Sequence, residues 1–89
     1  MITTSTIVAK AMEHSTKFDG WPWIVTFKRV ERTNGNIYSS MPVFRDKQAI
    51  STVDDWLREN GSEPHCFLDQ NAIMFRDETD ALLCFTHFA

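Results

Sequence analysis

The sequence predicts an α+β domain of order α-ββ-α-ββ-α, with a four-stranded antiparallel sheet carrying its helices on one face. Three observations lead there. Asn34-Gly35 sits between two alternating stretches and is the strongest hairpin signal in the chain. Ala49, Ile50, Val53, Trp56 and Leu57 recur at helical spacing between Asp46 and Asn60-Gly61. Residues 72–88, AIMFRDETDALLCFTHF, pass from strand alternation through an acidic cap into a second apolar helical stripe.

Composition bounds the rest. A chain of 89 residues with 43% hydrophobic and 12% aromatic residues can fill one core, so one domain over residues 1–89 is expected. No apolar run approaches the ~20 residues that span a bilayer, which excludes a membrane helix. The start MITTSTIVAKAM lacks a basic leader, an apolar core and a cleavage site, so the cytoplasm is the expected compartment. Cys66 and Cys84 have no CxxC spacing and are expected to be buried free thiols. The net charge of −3 argues against a general nucleic-acid coat. Its distribution is uneven. Residues 1–45 hold six basic residues against three acids, and residues 46–89 hold three against nine. A basic first hairpin and acidic helices follow.

In order, Thr3 to Thr6 cap an expected first helix with Ile7, Val8, Ala11 and Met12 on one face. Phe18-Asp19-Gly20 ends it. Pro22 opens a strand from Trp23 to about Arg32, since proline cannot donate to a ladder. The Asn34-Gly35 turn starts a second strand, Asn36 to Phe44. A two-residue turn makes paired residue numbers sum to 69. Trp23, Val25 and Phe27 then form a core face opposite Pro42 and Phe44. Asp46 caps a helix to Asn60, with Asn60-Gly61 as its stop. Ser62-Glu63-Pro64 is a linker turn, His65 to Leu68 a third strand, and Asp69-Gln70-Asn71 the turn into a fourth. In the last helix Asp77 or Thr79 is the cap, and Ala81, Leu82, Phe85 and Phe88 make the stripe. The alternation of Cys84, Thr86 and Phe88 also allows a strand there. Phe44-Arg45-Asp46 and Phe75-Arg76-Asp77 repeat the same strand-to-helix chemistry, so a strand-strand-helix unit is used twice.

The chemistry of known catalytic classes is not evident. His14, His65 and His87 lie on different elements without ligand spacing, and zinc needs about four converging ligands. Asp54-Asp55 and Asp77-Glu78-Asp80 read as helix-surface and cap residues. The three glycines form no phosphate loop. A non-enzymatic protein without cofactor or metal is expected. An enzyme using His65 or Cys66 is the weakest alternative.

The hairpin is the candidate site. Its outer face mixes cations with apolar residues, a composition that suits a partner surface. Trp21, Lys28, Arg29, Val30, Arg32, Ile37, Tyr38 and Met41 are the candidate partner-binding residues, with Trp21 as an exposed anchor. The expected partner is a protein. A homodimer is a second arrangement, and RNA or single-stranded DNA on Tyr38, Lys28, Arg29 and Arg32 a third, although the motif of an RNA-recognition sheet is missing.

The tail FRDETDALLCFTHF resembles the tails of small accessory proteins of tailed bacteriophages, through Asp80, Ala81, Leu83 and Phe85. The likeness covers about a sixth of the chain, and Thr86-His87-Phe88 replaces the more basic ending of such tails. It implies a host protein as partner, in takeover or inhibition of a defence system, within the host cytoplasm. It transfers no catalytic residue.

Overall fold

The computed structural model describes residues 3–40, 43–60 and 64–89. Its elements are β1 (Thr3–His14), β2 (Trp23–Thr33), β3 (Asn36–Ser40), α1 (Lys47–Glu59), β4 (His65–Phe67), β5 (Ala72–Phe75) and α2 (Glu78–Phe88). The α+β class and the antiparallel sheet are as expected. The described residues form five strands and two helices, which corrects the four strands and three helices read from sequence.

The expected first helix is strand β1, paired with β2 along its whole length. Two physical facts explain the misreading. The segment Thr3-Thr4-Ser5-Thr6-Ile7-Val8 is rich in β-branched side chains, which favour a pleated surface. A bulge then skips Lys10, since Ala9 pairs with Phe27 and Ala11 with Thr26. The bulge breaks the period of two. Ile7, Ala9 and Met12 therefore join the main core, while Val8 and Ala11 belong to the other face. The apparent helical stripe is two strand faces spliced at Lys10.

The hairpin turn is as read. Asn34 and Gly35 both have positive φ, 53° and 80°, and the pairs from Arg29↔Ser40 to Thr33↔Asn36 keep the expected register. That register does not continue to Trp23. There β5 replaces β3 as the neighbour of β2, with Trp23↔Phe75 and Thr26↔Ala72. The sheet order is β1-β2-β5-β4, with β3 also on β2. Val43 and Phe44 leave the ladder and enter the core, at 0% and 6% exposure. Pro42 and Met41, and the Gly61-Ser62-Glu63 stop and linker, lie outside the described residues.

Both helices pack on one face. Val25, Phe27, Ile73 and Phe75 of the sheet meet Val53 and Leu57 of α1 and Ala81 and Cys84 of α2. Phe27 sits at the centre, edge-on to Phe44 at 5.4 Å and to Phe88 at 5.7 Å between ring centroids. The α2 stripe is Ala81, Cys84, Phe85 and Phe88, at spacing 3, 1 and 3. Leu82, expected in it, is exposed. Among the described residues the opposite sheet face is covered at one end, where Phe18, Trp21 and Leu68 pack on Ile24, Ala72 and Met74.

The two Phe-Arg-Asp segments both deliver a buried Phe and an Asp cap. Only Asp46 uses its side chain, accepting from Gln48 N at 2.9 Å and pairing with Arg29 at 3.1 Å. Asp77 makes no side-chain cap bond. Asp46→Ala is therefore expected to lower stability by about 1 kcal/mol, and Asp77→Ala by less than about 0.5 kcal/mol. Urea unfolding of the two variants against the parent measures the difference.

Candidate functional site

The long β1–β2 ribbon outruns its cover. Strands of 11 and 12 residues reach about 36–40 Å at ~3.3 Å per residue. The helices have 13 and 11 residues and span only about 16–20 Å at ~1.5 Å per residue. The turn end of the ribbon extends past the helix layer, since no residue of β2 beyond Phe27 and none of β3 belongs to the core under the helices. That end carries the Asn34-Gly35 turn, β3, and the adjoining parts of β1 and β2.

Residues paired directly across an antiparallel ladder share a face, and successive residues alternate. On β2, Lys28, Val30 and Arg32 alternate with the core-facing Phe27 and lie on the face away from the helices. Val8 pairs with Lys28, Thr6 with Val30, and Ile37 with Arg32. These six residues form one surface. A shallow depression of about 360 Å³ is lined by Thr6, Val8, Val30 and Arg32. Ile37 is 62% exposed. Lys28 and Arg32 form no ion pair among the described residues.

The candidate residues therefore split. Lys28, Val30, Arg32 and Ile37 come together. Arg29 and Tyr38 lie on the opposite face, Tyr38 opposite Glu31 and Arg29 bound to Asp46. Trp21 is on the open face but at its far end, packed on Ile24, which lies about 26 Å along β2 from Arg32 by strand rise. It is half-buried, and the Arg76 guanidinium lies 4.8 Å from its ring centroid. The expected exposed anchor is instead part of the cover over Ile24 and Met74. Met41 lies outside the described residues. Thr6 and Val8 belong to the surface and were missed, because β1 reads as a helix until the bulge at Lys10 is known.

The helix layer contains a polar brace that sequence reading also missed. The His65 side chain is only 6% exposed, and its Nε2 lies 2.7 Å from Asp54 Oδ1. The second oxygen of Asp54 holds Arg58 at 3.0 Å, one helical turn on. The brace ties β4 to α1 and explains why Asp54, although off the apolar stripe, is half-buried. Partial burial and the charge of Asp77 push the Asp80 carboxyl above its usual range, and nearby His65 pulls it back. At the C-terminal end His87 stacks on Trp56, with centroids 4.1 Å apart and planes 13° apart.

His65 and Cys66 cannot act together, because adjacent strand residues point to opposite faces. His65 faces the helices, and Cys66 pairs with Met74 on the other side. Among the described residues no cluster of three His, Cys, Asp or Glu side chains is placed to hold a metal ion. Among the described residues no helix is long and apolar enough to cross a membrane.

Compared with known proteins, the chain matches no family model, no curated sequence and no solved structure.

The two cysteines differ, which corrects the expectation that both are buried. Cys66 is exposed and Cys84 buried, both as free thiols. Burial pushes the Cys84 thiol up to about 12 from 9.0. A colourimetric thiol reagent at mildly alkaline pH should titrate one thiol per native chain and both after denaturation. The raised value also fixes a sign. The contribution of Cys84 to stability is complete below pH 9.0 and is lost as pH rises towards about 12, because the unfolded thiol ionises first. Alkaline unfolding of Cys84→Ala against the parent should show a weaker pH dependence in that window.

Proposed function

We propose that the chain is a non-enzymatic protein-binding module whose docking surface is the open face of Thr6, Val8, Lys28, Val30, Arg32 and Ile37. One observation carries this reading. Apolar side chains and two cations without ion pairs among the described residues share a sheet face that neither helix covers. A partner that offers carboxylates around an apolar centre would satisfy both components at once. The partner class, a host protein met by a phage accessory protein, rests on the likeness of FRDETDALLCFTHF alone.

The nucleic-acid reading fits the geometry less well. A single-strand platform needs bases stacked on aromatics beside cations that follow the backbone. Here Tyr38 is on the face opposite Lys28 and Arg32, and Arg29 is engaged by Asp46. The open face retains cations without their aromatic partner.

Charge reversal distinguishes the readings. Lys28→Glu with Arg32→Glu changes two side chains outside the core and should leave the unfolding midpoint within ~0.5 kcal/mol of the parent. In affinity capture from a bacterial lysate the parent should retain a protein that this variant loses, and the loss should survive nuclease treatment. Identical captured proteins for both chains would reject the docking surface. Capture abolished by nuclease would move the assignment to nucleic acid.

A further inference from the structure

We infer that the free edge of β1 pairs with the β1 edge of a second copy, joining two sheets across a two-fold axis near Thr6 and Ile7. β1 is an edge strand along its whole length, since β2 is its one ladder partner among the described residues. Such an edge presents a row of N–H and C=O groups complementary to another strand, and proteins usually blunt it with charge, proline or a bulge. Here the protection is one-sided. The bulge and Lys10 blunt the half that ends at His14. The other half, Thr3-Thr4-Ser5-Thr6-Ile7-Val8-Ala9, has no charge, no proline and no bulge.

The unprotected half is complementary to itself. In an antiparallel pair centred on Ile7, Ile7 lies opposite Ile7 and Lys10 opposite the uncharged Thr4 of the other copy, so no like charges face. In-register parallel pairing would set Lys10 against Lys10, which disfavours it. A groove of about 750 Å³ lies beside this edge, lined by Ser5, Thr6, Ile7 and Val8 and, from the other elements, by apolar Ala49 and Phe88 and charged Arg29, Glu31 and Asp46. A second β1 laid there directs its own Ile7 to the helix side, towards Phe88, which is half-buried.

A strand edge of this length buries less than the ~1,000 Å² of a stable interface on its own, so the assembly should depend on concentration. Light scattering after size exclusion, from about 10 µM to about 1 mM, should show the mass rising from 10.3 kDa towards twice that value. Ser5 and Thr6 are exposed, so Ser5→Lys with Thr6→Lys should fold, as judged by circular dichroism, and stay monomeric at the top concentration. Hydrogen exchange of the unaltered chain gives an independent reading. Amides within residues 3–8 should gain protection with concentration, whatever the variant does. A monomer at every concentration overturns the inference and leaves the edge to a strand from another protein. A dimer that survives the lysine variant, that dissociates with Lys28→Glu and Arg32→Glu, or that leaves those amides unprotected overturns it as well.

Discussion

The edge of β2 opposite β1 is shared by strands from two different hairpins, and the rest of the molecule depends on how that edge is divided. β5 occupies it from Trp23 to Thr26 and β3 from Arg29 to Thr33. Asn71 fills the gap. Its carbonyl accepts from Phe27 N at 2.7 Å, and its side-chain oxygen accepts from Val43 N at 3.2 Å. Gln70 O accepts from Phe44 N at 2.6 Å, and Asp69 holds Asn71 N at 2.7 Å. One turn between β4 and β5 thus satisfies backbone donors on β2 and on the lead-in to α1, which would otherwise be buried without partners. It also places Phe44 against Phe27, so the second hairpin is anchored to the first where the aromatic core is densest.

This division sends β3 away from the helices. β4 and β5 lie under α1 and α2, and β3 continues the ribbon beyond them. The result is an elongated body, 45 × 26 × 21 Å, with a covered end and a bare end. Charge follows the same division. In the covered end Asp54 is used by His65 and Arg58, and at the boundary Asp46 is used by Arg29. The acidic surplus of the second half is thus partly spent within the fold. Lys28 and Arg32 stay at the bare end without such partners among the described residues, so a chain with net charge −3 still offers a cationic face.

Local chemistry was legible where it did not depend on a distant strand. The Asn34-Gly35 turn, the register sum of 69, the Asp46 cap, the α1 stripe and the strand-to-helix passage at Asp77 all follow from neighbours within a few residues. Three features did not. The identity of β1 depended on a bulge that disguises alternation as helical spacing. The exchange of β3 for β5 depended on Asn71, a turn residue with no sequence mark of its role in pairing. Leu82 was misplaced because an apolar pair, Leu82-Leu83, can point either way until the helix rotation is set, and Ala81 and Cys84 set it by packing at 0% exposure. For the site, the face of Lys28, Val30, Arg32 and Ile37 was readable from alternation alone. Arg29 and Tyr38 were assigned by proximity in sequence, which ignores that alternation, and Thr6 and Val8 were lost with β1.

A plainer account of the bare face has to be weighed against docking. Lys28 and Arg32 flank Val30 at two-residue spacing, which is how solvent-facing strands are kept from sticking to one another. That explains the cations, and it makes Val30 and Val8 ordinary strand residues between charges. It does not explain Ile37. This residue is next but one to the turn glycine, at the outer end of β3, and is 62% exposed. It contributes nothing to the core, and a threonine there would serve the strand equally well without exposing a large apolar side chain. Ile37, beside Arg32 and on the same face as Val30 and Val8, is therefore the position on which the proposed docking surface rests most directly.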